Sequence, residues 1–325
     1  MTNKTIEHVY IAGGYGMIGS HIAMQIRQRF PAARITLAGR HPVGGEKLAQ
    51  QLGNAASVSL DLNGNQCPEA ASNADMIISA VPDPQNMLAE YAIKNHIAFI
   101  NITLGNGDDI LPLLHLAKYH HASQPVVPLG YYEAGMLLPL VALLARQFKR
   151  VDTVDMTALH DLSDPLGELS SQELNNDIPP ALMRRDGYWI RSSEPREVTL
   201  FNHEKVSATP FSILDISAVS AMTNATSVRL DVASGSSVGM HNHQQPSIDL
   251  YVDMKGINAS GQPVAKRILA SDPQGQAHFT ALGVLTVIEA MLTSDNVGFI
   301  LPEEFIDFDI ALQSMREAGV SITQS

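Results

Sequence analysis

The segment HVYIAGGYGMIGSHIAMQIRQRF, residues 8–30, places four glycines within seven positions, between two stretches of different hydrophobic period. Val9, Ile11 and Ala12 belong to an apolar run, as expected of a strand buried on both faces of a parallel sheet. From Ile18 the period changes: Ile18, Ile22, Ile26 and Phe30 recur every four residues, one face of a helix. Between them Gly14, Gly16 and Gly19 spell G-x-G-x-x-G. Gly14 is expected to take the backbone angles of the tight turn, and Gly16 to let main chain approach a pyrophosphate. Gly19, with Ala23 one turn later, lets the helix pack closely on the strand. The helix N-terminus then offers free N–H groups and a positive dipole end to the phosphates. Alone the motif is weak. Here a strand precedes it, a helix follows, and a second strand, RITLAGR (34–40), comes next, which is the context that dinucleotide binding requires.

The end of that second strand indicates which dinucleotide. NAD-binding versions place Asp or Glu there for the ribose hydroxyls, whereas this chain has Gly39-Arg40-His41 and no carboxylate until Glu46. A carboxylate would repel a 2′-phosphate; the planar donor fork of Arg40 can grip it, and Lys47 adds charge. The cofactor expected is NADP, with NAD the less favoured alternative.

The alternation continues. VSLDL (58–62) reads as a third strand, with Asp61 and Leu62 expected near the adenine. ADMIISAVP (74–82) reads as a buried strand ending in Ala80, Val81 and Pro82, on the nicotinamide side. A helix near 84–95, the strand IAFINIT (97–103), a helix near 108–121 and the strand PVVPLG (125–130) follow. Six such strands predict an α/β fold with a doubly wound parallel sheet, its ligand at the carboxyl ends of the strands. EAGMLLPLVALLARQF (133–148) predicts an apolar helix, despite Pro139, packed across that sheet. From residue 151 the texture changes to alternating apolar and polar residues between Gly, Pro, Asn and Ser, the mark of a mainly antiparallel sheet with one covered face. MKGINASGQPVAKR predicts a hairpin, and 170–197 a mobile loop or lid. Helices return at 277–294 and 302–319, with Pro302 at the start of the second and Gly319 just beyond its end.

Composition narrows the classes. With 325 residues the chain suits two domains, and 45% hydrophobic with 17% charged residues reads as globular. A net charge of -12 without a basic stripe argues against nucleic-acid binding. The single cysteine, Cys67, suits a reducing compartment, and no signal peptide or membrane-length apolar run stands out. A cytoplasmic protein acting on a small molecule, without a membrane partner, is expected.

GGYGMIGSHIA, the Gly-Arg ending the second strand, ADMIISAVP and PLGYYEAGMLLPLVALLA together resemble the saccharopine dehydrogenase family, in its reductase-like branch. LYVDMKGINASGQPVAKR and TALGVLTVIEAMLTSDNVGFILPEEF are similar to its later hairpin and C-terminal segment. The resemblance implies a Rossmann domain (1–132 and 277–325) interrupted by an α+β substrate and dimerisation domain (133–276), in a homodimer. It also implies that Gly14, Tyr15, Gly16, Met17, Ile18, Gly19, Arg40, Asp61 and Val81 line the cofactor. To these the strand ends add Gly39, Leu62, Ala80 and Pro82. The implied activity is an NADP-dependent oxidation or reduction at a C–N bond.

Hydride transfer belongs to the cofactor; the protein must orient the substrate, exclude water and manage one proton. Tyr131, Tyr132 and Glu133, just after the sixth strand, are the candidate proton donors. MHNH (240–243) adds His241 and His243, which on a strand would face one way, a spacing compatible with metal; no third ligand is identifiable, and no metal is expected. A proton-handling role for His241 is the remaining candidate. Tyr251 and Lys255 match Y-x-x-x-K but lie in strand alternation, too late in the chain, so the match reads as coincidence. Arg184, Arg185, Arg191 and Arg196 could hold a substrate carboxylate or be solvated loop charges. The alternative to an oxidoreductase is a non-catalytic NADP-binding redox sensor.

Overall fold

A computed structural model describes residues 5–64, 68–103, 107–164 and 179–325. The chain divides into two units, Met1–Ala134 with Thr280–Ile306, and Gly135–Phe279 with Asp307–Ser325.

In the first unit β1 (His8–Ala12), β2 (Arg34–Gly39), β3 (Ala55–Ser59), β4 (Met76–Ser79), β5 (Ala98–Asn101), β6 (Pro125–Pro128) and the two-residue β15 (Gly298–Phe299) form one sheet. Its order is β15-β6-β5-β4-β1-β2-β3 and every pairing is parallel. This is a doubly wound Rossmann sheet with a seventh strand at its edge. Helices α1 (Met17–Arg29), α2 (Val43–Leu52), α3 (Met87–Lys94) and α4 (Gly107–Tyr119) are the crossovers. Strands β1, β4, β5 and β6 are buried along their length, which explains their unbroken apolar runs. Tyr10, Ile77, Leu88, Phe99, Leu113 and Val126 pack together in one core cluster. Ala12 pairs with Ala38 on β2 and Ser79 on β4, so three strands end level and their loops emerge together.

The second unit is built on β7 (Arg150–His160). Its sheet adds β8 (Ala181–Arg185), β9 (Tyr188–Ser192), β10 (Arg196–Thr199), β11 (Lys205–Pro210), β12 (Ser227–Ser234), β13 (Ile248–Ile257), β14 (Pro263–Asp272) and β16 (Ser321–Gln324). The order is β10-β11-β12-β7-β13-β14-β16, with β8 beside β12 and β9 beside β8. All pairs are antiparallel except β7–β12, so the sheet is mixed. The expected hairpin is β13–β14, its tip held by Asn258 Oδ1, which accepts from Ser260 N and Gln262 N, both at 3.0 Å. Helices α5 (Leu137–Ala145), α6 (Asp215–Thr223), α7 (Val238–His241) and α9 (Phe308–Glu317) complete the unit, and α8 (Gln276–Thr293) runs from it into the first.

Several expectations are corrected. The third strand is Ala55–Ser59, three residues earlier than expected; Asp61 Oδ1 accepts from Asn63 N at 3.1 Å, so the chain is already turning there. The apolar helix begins only at Leu137, because Glu133, Ala134 and Gly135 have φ of 44°, 51° and 90°, outside the right-handed helical region. It packs on β13, β14, α6 and α9 of the second unit, to which it belongs. Of the supposed lid, 170–178 lie outside the described residues, while 181–199 form β8, β9 and β10. Arg185 pairs with Tyr188 across Asp186-Gly187, both at positive φ, a two-residue hairpin turn overlooked in the sequence. The helix expected over 302–319 is broken. Pro302–Glu304 is a single 3-10 turn, and Asp307 starts α9 anew by accepting from Asp309 N at 2.9 Å and Ile310 N at 3.2 Å. Residues 307–325 belong to the second unit, where β16 pairs with β14 and Arg146 forms a two-pronged ion pair with Asp309. Finally, α8 is long and apolar enough to cross a membrane, but more than half of it is buried inside the protein, as in a core helix.

Gly283 on α8 lies against the left-handed turn: a Cβ there would come within 2.6 Å of the Glu133 carbonyl oxygen and 2.7 Å of that of Ala134. Gly283→Ala should therefore cost about 1–3 kcal/mol despite its gain in helix propensity. Urea unfolding checks this, and a variant as stable as the wild type would contradict the packing described.

Candidate active site and coenzyme cradle

After β1 the chain turns through Gly13, at φ +79°, where a Cβ would meet Val81 Cγ1 at 2.7 Å and the Ala80 carbonyl at 2.9 Å. The left-handed turn residue is thus Gly13, not Gly14 as the motif suggested. Gly14 is needed for proximity instead: its Cβ would stand 2.8 Å from the Ile11 carbonyl and 3.0 Å from Leu37 Cα. At Gly19 a Cβ would collide with the Gly13 carbonyl, so α1 is seated directly on the turn. Gly16 differs from all three. Only the Gly13 carbonyl, at 3.2 Å, would touch its Cβ. A Cβ there would need that carbonyl to give by a few tenths of an ångström, a milder constraint than at the other three, and its absence leaves main chain open to close approach by a ligand.

Gly16 is also the N-cap of α1, extended at φ −70° and ψ 175°, and no side chain caps the helix. The first-turn amides of α1, at Met17, Ile18 and Gly19, are left to an outside acceptor at the positive end of a 13-residue helix. A small cradle lined by main-chain N–H groups fits a diphosphate.

Tyr15 ties this turn to the end of β2. Its hydroxyl accepts from His41 N at 2.9 Å, and its ring lies where Cβ atoms on Gly39 and Gly45 would stand. Arg40 is exposed and joins no ion pair among the described residues. Lys47 is exposed too, and the nearest carboxylate in sequence, Glu46, is in the first turn of α2. Asp61 is exposed after β3, and Leu62 packs against the core cluster.

On the other side Ala80, Val81 and Pro82 leave β4. The Val81 carbonyl accepts from the Ser79 hydroxyl at 3.0 Å and lies 3.3 Å from that of Thr103. Buried Asn101, ending β5, accepts from Thr103 N at 2.8 Å. Asp83 accepts from Met87 N at 2.9 Å and Leu88 N at 2.7 Å at the start of α3; burial pushes its carboxyl up.

Beyond β6, Tyr131, Tyr132 and Glu133 are all buried. Glu133 accepts a hydrogen bond from the Thr280 hydroxyl on α8, which pins its carboxylate inward. The Tyr131 hydroxyl donates to Glu303 Oε2 at 2.8 Å. Glu303 stands in the turn after β15, beside β6 in the sheet, and burial raises its carboxyl above the ordinary carboxylate range. The sequence reading missed Gly13, Ser79, Asn101, Thr103 and Glu303. The fourth glycine of the turn was the available signal for Gly13; a two-residue strand gave none for Glu303.

His241 belongs to the second unit. It is exposed at the end of α7, its ring edge-to-face with Phe201 at 5.2 Å between centroids. MHNH is helix and turn, with His243 at φ +57°, so the shared strand face expected of His241 and His243 does not exist. Among the described residues no group of three His, Cys, Asp or Glu could hold a metal ion. Tyr251 is fully buried on β13 under Arg267, while Lys255 is exposed on the same strand. The arginines have partners within the unit: Arg184 the Ser220 hydroxyl, Arg185 the Glu194 carboxylate at 3.7 Å, Arg191 the Pro180 carbonyl, and Arg196 both Asp231 and Thr157.

Residues 9–125, which hold the cradle and the first five strands but for His8, match the saccharopine dehydrogenase NADP binding domain. They form a saccharopine dehydrogenase-like NAD(P)-binding domain. The whole chain is similar in structure to saccharopine dehydrogenase (L-Glu forming) from Saccharomyces cerevisiae, at 10% identity and a TM-score of 0.71 over 98% of this chain and 100% of that one. It is similar to homospermidine synthase from Legionella pneumophila, solved with NAD, at 11% identity and a TM-score of 0.68 over 100% and 93%. A scyllo-inositol dehydrogenase from Lactobacillus casei, solved with NAD(H) and scyllo-inositol, scores 0.53 at 12% identity over 99% of each chain. Identities this low establish the fold alone. No curated protein sequence matches the chain significantly.

The glycines of the NAD(P)-binding domain separate by task. Gly16→Ala should leave unfolding free energy within about 1 kcal/mol of wild type yet weaken coenzyme binding at least tenfold. Gly19→Ala should lower stability itself, by about 1–3 kcal/mol. Paired chemical denaturation and coenzyme fluorescence titrations check both; identical profiles for the two variants would refute the division.

Proposed function

We propose that this protein is an NADP-dependent oxidoreductase that moves a hydride to or from the C–N bond of a small, amino-acid-derived metabolite. The observation that carries the reading is the pairing of an uncapped helix end in a glycine cradle with a guanidinium at the next strand end. The first suits a diphosphate; the second, exposed and without a carboxylate partner among the described residues, suits a 2′-phosphate. When bound, the coenzyme supplies or accepts the hydride. The residues of this chain do the rest. Met17, Ile18 and Gly19 would hold the diphosphate through their amides, and Arg40 with Lys47 would select the phosphorylated ribose. Val81, its carbonyl fixed by the Ser79 hydroxyl, would bound the nicotinamide side. The choice of a C–N bond rests on the family resemblance, and we take the enzyme as a cytoplasmic homodimer acting on a free small molecule.

Arg40→Ala should weaken NADP(H) binding about 10- to 100-fold, the value of one or two charge-assisted contacts, and change NAD(H) binding less than about threefold. Fluorescence titration with both reduced coenzymes reads this directly. Equal losses for the two would overturn the NADP assignment. NADPH binding without oxidation across a panel of imines and of keto acids mixed with amines would favour a sensor.

A further inference from the structure

We propose that Glu303, positioned by Tyr131, is the acid that protonates the substrate nitrogen during reduction, an inference that rests on the oxidoreductase reading above. Doubly wound sheets bind their ligands outside the carboxyl ends of the strands, and β4, β5 and β6 form the half that takes the second mononucleotide. Tyr131 leaves the carboxyl end of β6 and Glu303 that of the neighbouring β15, and the 2.8 Å hydrogen bond joins the two loops. Of the acidic groups there, Glu133 is turned inward onto Thr280, whereas Glu303 is only partly buried and can be reached.

The electrostatics suit an acid. Burial disfavours the charged form of Glu303 and outweighs the donated hydrogen bonds from Tyr131 and from its own backbone amide. Among the described residues the other charged group acting on it is Glu304, whose carboxylate accepts from Leu301 N at 2.8 Å and also favours the protonated form of Glu303. In the step itself, the substrate carbon takes up the hydride and the C=N pair moves to nitrogen. That pair takes the proton of the Glu303 carboxyl, and solvent water later restores it. In the oxidative direction the same carboxylate is the base. Reduction thus ends with a carboxylate beside a ring that has become cationic, so oxidised and reduced coenzyme must affect Glu303 differently.

That difference needs no substrate to observe. Calorimetric titrations of the full-length protein with NADP+ and with NADPH, in buffers of different ionisation enthalpy, count the protons exchanged on binding. Across the pH range in which Glu303 titrates, NADP+ should release up to about one proton more than NADPH. Glu303→Gln should bind both coenzymes and abolish the difference. Tyr131→Phe should keep it but move its maximum to higher pH, because the carboxylate loses a donor. Equal proton counts for the two coenzymes in the wild type, or a difference that survives Glu303→Gln, would overturn the assignment. If Glu303→Gln does not fold, an unmoved maximum in Tyr131→Phe overturns it instead. Failure of the wild type to bind either coenzyme would mark a different failure, that of the dinucleotide reading itself.

Discussion

The meeting of the Gly13 carbonyl with Gly19 is the contact on which the first unit depends. It brings the first turn of α1 onto the end of β1 and leaves no space for a side chain at Gly19. Because the helix starts there uncapped, its free amides and dipole stand at the edge where β1, β2 and β4 end level. A side chain at any of Gly13, Gly14 or Gly19 would drive helix and sheet apart, and the donors would no longer converge. Fold and anion site are therefore one construction. Helix donors left unsatisfied in this way are open to an anionic ligand.

Around that contact the loops divide the work. The end of β2 carries an exposed guanidinium and is braced by Tyr15, whose ring fits only because residues 39 and 45 lack side chains. The end of β4 is stiffened by Ser79, whose hydroxyl donates to the Val81 carbonyl, and that of β5 by Asn101, which accepts from the amide and hydroxyl of Thr103. Past β6 the chain is forced through two non-glycine residues of left-handed conformation, each costing about 1–2 kcal/mol. Gly283 and the Thr280 hydroxyl meet that segment from α8 and hold it. Strain held by surrounding packing at the carboxyl edge of a sheet is characteristic of functional loops.

Much of this was legible in the chain. The glycine motif in its strand–helix context gave the Rossmann sheet, and Gly39-Arg40-His41 marked the end of the second strand. Period-2 patterning gave the second sheet and the β13–β14 hairpin. What escaped has identifiable causes. β15 has two residues and no period, so neither it nor Glu303 was visible. The parallel β7–β12 pair depends on which strands meet, which alternation cannot say. Asp186-Gly187 was a local hairpin signal obscured by the polar composition around it. Asp307 was a cap hidden inside an apparently continuous helical pattern. The left-handed run at Glu133–Gly135 is imposed by tertiary packing, and its glutamate and alanine give no local sign of it.

The central claim, that the main-chain amides after β1 receive a dinucleotide diphosphate, is most directly tested by amide NMR of the 15N-labelled protein during titration with NADP+. The account predicts saturable shifts that are largest at residues 15–19. Saturable shifts elsewhere, with these amides unmoved, would contradict it.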